Sequence, residues 1–306
     1  MSTHELPRYP PMVVYKDLRK SNFFSALGLP SFLRDWLLKK FADDDGNLDI
    51  DELTDFIRTY LPNKEEWVKI KDTRLVSIMM ANNEIGSIQD ISALSSVAHS
   101  HGAVFHTDAV QAVGHVEIDV DTLGVDMLSA SAHKFNGPKG IGFLYVRKNT
   151  PLAAYLSGGS QERNMRAGTE NIASIVGMAV ALEKNVSQIA KVKSHLESLE
   201  NMLLQGLLNS NIVFSRNGSA KRIPGNISLS FPGYDGEALL HRLDLMGICV
   251  STGSACDSKE TKTSHVLEAI CLRPDLAKGT IRISLGKHNT EQDVHAILEA
   301  LKRIMS

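Results

Sequence analysis

The sequence predicts an α/β protein: a mostly parallel sheet with flanking helices, followed by a smaller α/β domain and preceded by a helical hairpin. Three observations carry this. From Leu75 onward, short apolar runs alternate with longer stretches whose apolar residues recur at helical spacing, the rhythm of a βα-built sheet. Beyond Arg222 the same alternation resumes on shorter elements. Before Asp72 the pattern is that of two amphipathic helices. The expected division is therefore 1–72, 73–190 and 191–306.

The opening, with Pro7, Pro10 and Pro11, reads as an extended arm. Ser31 is placed to cap a helix bearing Phe32, Leu33, Trp36, Leu37 and Phe41. A second helix carries Ile50, Leu53, Phe56, Ile57, Tyr60 and Leu61, and Pro62 stops it. The acidic turn between them places Asp43, Asp45, Gly46, Asp49 and Glu52 at EF-hand-like spacing. Phe41 occupies the position of the first calcium ligand, so the turn is read as capping the second helix, and no metal site is expected. Leu75 to Met80 reads as a buried strand, and Asp90 caps a helix bearing Ile91, Leu94 and Val97. Val104 to Thr107, Met127 to Ala130 and Ile141 to Val146 read as further strands. Helical patterns run from Asn171 to Lys184 and from Val186 to about Leu208. In the last part, Ile227 to Phe231 and Ile248 to Ser251 read as strands, with a helix from Glu237 to Leu245 between them. Thr290 with Asp293 begins a final helix whose apolar side is Val294, Ile297, Leu298, Leu301 and Ile304.

Composition narrows the function classes. A 306-residue chain with 43% hydrophobic content can bury a substantial core. Thirty-three basic against thirty-five acidic residues give a net charge of −2, which argues against a nucleic-acid surface. No apolar run is long enough to span a bilayer, so no membrane partner is expected. Cys249, Cys256 and Cys271 form neither a disulfide framework nor a metal-ligand spacing, which implies a reduced, cytoplasmic setting. Cys249, in an apolar strand pattern, and Cys271, at the end of a helical one, read as packing residues.

The chemistry concentrates in a few stretches. Ser131-Ala-His-Lys-Phe-Asn-Gly-Pro-Lys-Gly140 sets Lys134 between two apolar runs. A lysine in such a place needs a partner or a covalent role, and a Schiff base to an aldehyde cofactor is one such role. Upstream, Phe105 to Gln111 ends another apolar run in a carboxylate, Asp108, and an amide, Gln111. Pyridoxal phosphate enzymes use such a pair: the lysine holds the aldehyde while an acid keeps the ring nitrogen protonated. Far downstream, Cys256 lies among small and polar residues with Lys259 nearby to favour the thiolate. Arg282 interrupts a strand pattern, and an arginine there suits a carboxylate clamp.

These stretches, with Asn82-Asn83-Glu84-Ile85-Gly86, Arg166 to Asn171 and Ile281 to Gly286, carry a resemblance. From about Leu75 to its end the chain closely resembles the NifS/IscS-type cysteine desulfurases, pyridoxal phosphate enzymes of fold type I. The resemblance implies Lys134 as the cofactor lysine and Asp108 as the partner of the pyridine nitrogen. It implies Gln111 at the phenolic oxygen, Ser131 and His133 at the phosphate, and Asn83 at the cofactor and substrate. Arg282 would clamp the substrate carboxylate. Cys256 would take sulfur from L-cysteine as a persulfide, leaving alanine, and pass it to a sulfur-acceptor or scaffold protein for Fe–S cluster assembly or thio-modification. Thr169 would reach the phosphate of a neighbouring subunit's cofactor, which implies a homodimer.

The family's opening segment has no counterpart in the residues before Leu75. It holds three strands, a Thr-rich phosphate cradle and a histidine that stacks on the ring. The strands that match would then lack neighbours at both sheet edges. Two other readings follow: a catalytically impaired remnant acting as an interaction module, or a related fold type I enzyme such as a selenocysteine lyase or aminotransferase.

Overall fold

The structure, a computed structural model, describes residues 73–252 and 264–305, together with the backbone of a strand at Val13–Tyr15. The expected helical hairpin, its acidic turn and Cys256 lie outside the described residues.

Five strands form the larger sheet: β1 (Val13–Tyr15), β2 (Leu75–Met79), β3 (Val104–Asp108), β4 (Met127–Ser131) and β5 (Gly142–Val146), in that order. β1 to β4 run parallel, and β5 lies antiparallel to β4. The sheet is thus mostly parallel, as the apolar runs imply. β1 was not legible as a strand. Its pairing with Val76 to Ile78 gives β2 a neighbour, which corrects the expectation of two bare edges. At the other edge β5 exposes Leu144 and Val146.

Helix α1 (Ile91–Ser100) starts where Asp90 accepts a hydrogen bond from the Ala93 N–H at 3.1 Å, satisfying a first-turn donor. Its buried Ile91, Leu94 and Ala98 meet Ile78, Phe105, Leu128 and Ala130 from alternate positions of β2 to β4. The short helix α2 (Val120–Leu123) is capped by Asp119 and ends on Gly124 in the left-handed conformation. Its Val120 and Leu123 join the same cluster, so both crossovers cover one face of the sheet. Ser77, His106, Asp108 and Ser129 occupy the opposite face, in register pairs Ser77 with His106 and Asp108 with Ser129.

Two long helices follow, α3 (Ile172–Val186) and α4 (Ile189–Leu208). α3 lends Met178, Ala181 and Leu182 to the first core but buries none of its residues fully. Its Ile172, Val176 and Val180, four residues apart, are 69%, 55% and 58% exposed, an apolar stripe on the outer side. α4 turns Leu196, Leu199, Leu203 and Leu207 into a second core.

That core packs against a three-stranded antiparallel sheet of β6 (Ser215–Arg216), β7 (Asn226–Ser230) and β8 (Thr280–Ser284). Helix α5 (Gly236–Asp244) and the short helices α6 (His265–Ala269) and α7 (Pro274–Lys278) flank the strands. Helix α8 (Glu291–Met305) buries Val294, Ile297, Leu298, Leu301 and Ile304, the side expected from its periodicity. Its start is closed by Asp293, which accepts from the Thr290 N–H at 2.8 Å. No strand forms over Ile248 to Ser251: only Ser251 pairs, bridging Arg282. Cys249 and Cys271 are exposed rather than packed. No described helix is long and apolar enough to cross a membrane.

Candidate active site

The carboxyl ends of parallel strands are where α/β folds gather binding groups, because the crossovers leave a crevice there. Three strand ends converge in this way. β3 ends at Asp108, in register with Met79 at the end of β2 and with Ser129 of β4. β4 ends at Ser131, two residues further along the face that carries Asp108. A single 3₁₀ turn, Ala132–Phe135, follows at once and presents Lys134.

That turn is fixed by what it buries. Ala132 and Phe135 are fully buried, whereas His133 and Lys134 are exposed. The Lys134 carbonyl accepts from His115 Nε2 at 2.7 Å, and the Phe135 carbonyl accepts from Asn185 Nδ2 at 2.7 Å. Backbone and hydrophobic contacts therefore set the turn. The Lys134 amine makes no hydrogen bond or ion pair among the described residues. Ser131 Oγ and His133 Nδ1 lie 2.8 Å apart, which puts a hydroxyl and an imidazole beside the lysine. Asp108 forms an Asx-turn, with Oδ1 accepting from the Val110 N–H at 3.0 Å. Its other oxygen has no hydrogen bond among the described residues. Gln111 is half-buried in the turn that follows.

The loop after β2 brings in the second sheet. Asn82 Oδ1 accepts from the Glu84 and Ile85 N–H groups at 2.8 and 3.0 Å, which winds the loop tightly. Gly86 completes it with φ of 74°, and a Cβ there would stand 3.2 Å from Asn226. The Asn83 carbonyl accepts from Arg282 Nη1 at 2.7 Å and from Asn226 Nδ2 at 3.2 Å. Asn83 and Arg282 are thus joined directly, although 199 residues separate them. Thr169 stays apart: it is exposed in the stretch before α3, with no hydrogen bond to another candidate among the described residues.

Two residues of this region, Glu84 and His106, were not singled out by sequence reasoning. Glu84 is 3% exposed and accepts a hydrogen bond from Ser264, across the junction with α6. His106 lies one register step inside Asp108, with Nδ1 2.6 Å from Ser77 Oγ. Burial pushes its imidazole below the ordinary histidine value, and the nearby Asp108 carboxylate opposes part of that shift. The unfolded chain therefore takes up its proton first as pH falls. The stability so linked is whole above about pH 6.5 and is lost as pH drops through the depressed folded value. We expect the melting temperature to fall more between pH 7 and pH 5 in the native chain than in His106→Gln. Equal pH slopes in scanning calorimetry would contradict this.

A separate pocket, lined by Glu197, Glu200, Asn201, Arg216 and Arg222, lies beside α4 and contains none of the candidate residues. Arg216 donates to Glu200 there, tying β6 to the helix. Among the described residues no cluster of His, Cys, Asp and Glu is arranged to hold a metal ion.

The donor set fits pyridoxal phosphate: an unengaged primary amine, a carboxylate with a spare oxygen, a hydroxyl–imidazole pair suited to a phosphate, and a guanidinium beside an asparagine. A family model described as aminotransferase class-V matches residues 42–297. The chain belongs to this family. It is 45% identical over 265 residues to a cysteine desulfurase IscS of Dictyoglomus turgidum, an alignment covering 86% of this chain and 64% of that one. It is 44% identical over 259 residues to a cysteine desulfurase IscS of Clostridium botulinum, covering 81% and 65%. An X-ray structure of a NifS-like protein from Rickettsia africae superposes with a TM-score of 0.73 at 31% identity, covering 86% of this chain and 68% of that one. The chain thus spans 64–65% of the length of these curated relatives, and its α/β architecture is that of NifS-like proteins.

Proposed function

We propose that this chain carries the catalytic residues of a pyridoxal phosphate-dependent cysteine desulfurase, which moves sulfur from L-cysteine to Cys256 and releases alanine. The observation that carries the reading is the placement of Lys134, Asp108 and Ser131 at neighbouring strand ends, with Asn83 and Arg282 joined to each other by a hydrogen bond. Residues 73–190 supply the cofactor groups, and residues 191–306 supply Arg282 and Cys256.

Pyridoxal phosphate, when bound, supplies an electron sink that makes the bond to the departing sulfur labile. Lys134 is the residue that would hold the cofactor aldehyde, and its amine would move protons once released. The Asp108 carboxylate favours a protonated ring nitrogen. Gln111 would donate to the cofactor's phenolic oxygen, while Ser131 and His133 would donate to its phosphate. Arg282 and Asn83 orient the substrate, the guanidinium pairing with its carboxylate through two hydrogen bonds. The Cys256 thiolate attacks the substrate sulfur: the carbon–sulfur bond breaks and a sulfur–sulfur bond forms. The carbon left behind gains a proton as alanine, so no external oxidant or reductant is needed.

A persulfide is a carrier, so an acceptor or scaffold protein, supplying Fe–S clusters or thio-modification, is the partner this chemistry calls for. A reducing, cytoplasmic compartment suits the thiol. The exposed Ile172, Val176 and Val180 stripe begins three residues after Thr169 and is the surface we assign to a second copy, with Thr169 reaching the neighbour's phosphate. The test is mass balance: with cofactor and L-cysteine, alanine should form in step with persulfide sulfur on the protein. Cofactor binding without alanine would overturn the desulfurase reading.

A further inference from the structure

We propose that Asn185 is a positioning residue for Lys134: from the last turn of α3 its amide brackets the turn that carries the lysine and so fixes where the amine stands. For its chemical consequence the proposal rests on the reading of Lys134 as the cofactor lysine, while the bracket itself is independent of that reading.

The turn has little to hold it from within. Ala132–Phe135 is a single 3₁₀ turn, and it stops where Asn136 takes the left-handed conformation, with φ of 64°. The Asn136 and Gly137 N–H groups both donate to the Ala132 carbonyl, the second at 2.8 Å, and so close the turn on its own start. The last carbonyls of such a turn face outward and need donors from elsewhere. Asn185 supplies one of them. Its Nδ2 donates to the Phe135 carbonyl at 2.7 Å, and its Oδ1 accepts from Asn136 Nδ2 at 3.0 Å. One side-chain amide thus grips the two residues that follow Lys134. Its second hydrogen goes to the Ala181 carbonyl at 2.7 Å, one helical turn back, which holds the amide against α3. With two carbonyls facing Nδ2 the orientation of the amide is fixed, because the opposite one would set oxygen against oxygen.

The loop after β3 presses from the other side. At Gly114, whose φ is 79°, a Cβ would stand 2.7 Å from the Phe135 Cβ and 3.3 Å from the Asn185 Cβ. His115, next in the chain, donates to the Lys134 carbonyl. The lysine turn is therefore held between that loop and the end of α3. Helix propensity favours alanine over asparagine at this point of α3, so the amide is accounted for by what it binds. A lysine amine rides on a flexible four-carbon stem, and only the placement of its backbone limits the arc it sweeps. Misplacing a reacting group by about 1 Å can cost on the order of a hundredfold in rate.

The experiment compares the native chain with Asn185→Ala and Asn185→Asp. The aspartate keeps the shape of the side chain and its acceptor oxygen, but turns a second oxygen towards the Phe135 and Ala181 carbonyls. Two readouts are taken. The first, in cofactor-free protein, is hydrogen exchange at the Asn136 and Gly137 amides, which close the turn, measured against the amides of β4. The second is the rate at which the visible absorption band appears when pyridoxal phosphate is added. Asn185→Ala should speed exchange at the two turn amides about tenfold, the scale of the hydrogen bonds lost, and leave β4 at native rates. The band should appear about tenfold more slowly and reach the native wavelength. Asn185→Asp should match or exceed both effects, whereas packing alone would leave it native-like. Native exchange at the turn in Asn185→Ala, equal acceleration in β4, or native behaviour of Asn185→Asp would each overturn the proposal. So would a band that forms at the native rate although the turn has loosened. A native chain that gives no band would sink the cofactor reading alone, and the exchange arm would still decide the bracket.

Discussion

Lys134→Ala should abolish the visible absorption band that pyridoxal phosphate acquires on this protein. It should also lower alanine formation from L-cysteine by on the order of a thousandfold, within the range for losing an acid–base group. The effect should be chemical rather than structural. The side chain is exposed, and the turn that presents it is held by buried Ala132 and Phe135 and by carbonyls that accept from His115 and Asn185. Stability should therefore change by no more than about 0.5 kcal/mol, as for surface substitutions elsewhere. Lys134→Arg should fail as well, because a guanidinium stays protonated and is no nucleophile. Lys139→Ala, an exposed lysine in the same motif, should leave band and turnover at native values. A band that survives in Lys134→Ala would remove the foundation of the enzyme reading.

How far the sequence reveals this site can be judged residue by residue. Strand ends are legible where an apolar run stops in a polar residue, which is why Asp108 and the turn after Ser131 stand out. The start of α1 at Asp90 and the start of α8 at Thr290 with Asp293 are legible too, because caps are local chemistry. Pairing of elements distant in sequence is not local. Val13 to Tyr15 has no alternation long enough to announce a strand, and only its parallel neighbour β2 makes it one. Ile248 to Ser251 has the opposite history. Its apolar residues suit a strand, but β8 meets it at Ser251 alone, so the run stays irregular and Cys249 is left exposed. Cys271 is exposed for a different reason: the chain turns there at φ of 54°, ending α6 instead of continuing it.

Glu84 shows the limit most clearly. A glutamate two residues before a glycine in a polar turn reads as solvated. Nothing nearby in the sequence reveals that Ser264, 180 residues later, will cover it. Asn83 and Arg282 were legible as separate residues, through the motifs around them. Their contact, and the fact that one loop serves both sheets, follows only from the way Asn82 and Gly86 curl the backbone against β7 and β8.

Cys256→Ser should leave the cofactor band intact and reduce alanine formation from L-cysteine by on the order of a thousandfold or more, since the group lost is the covalent nucleophile. A serine hydroxyl is scarcely ionised near neutral pH, and an oxygen in that place cannot form the sulfur–sulfur bond that carries sulfur away. Mass analysis of the native chain after turnover should find one added sulfur on the peptide containing Cys256 and none on those containing Cys249 or Cys271. Exposure alone does not make those two competitors. Cys249 Sγ is engaged with Asp244 Oδ1 at 3.8 Å, and the motif that resembles the family's nucleophile loop surrounds only Cys256. The same variant separates the neighbouring chemistries. If Cys256→Ser still releases alanine from selenocysteine at the native rate, the chain acts as a lyase that needs no sulfur-carrying thiol. If both substrates fail while the band persists, Cys256 is the acceptor, and the residues gathered at the strand ends serve sulfur transfer.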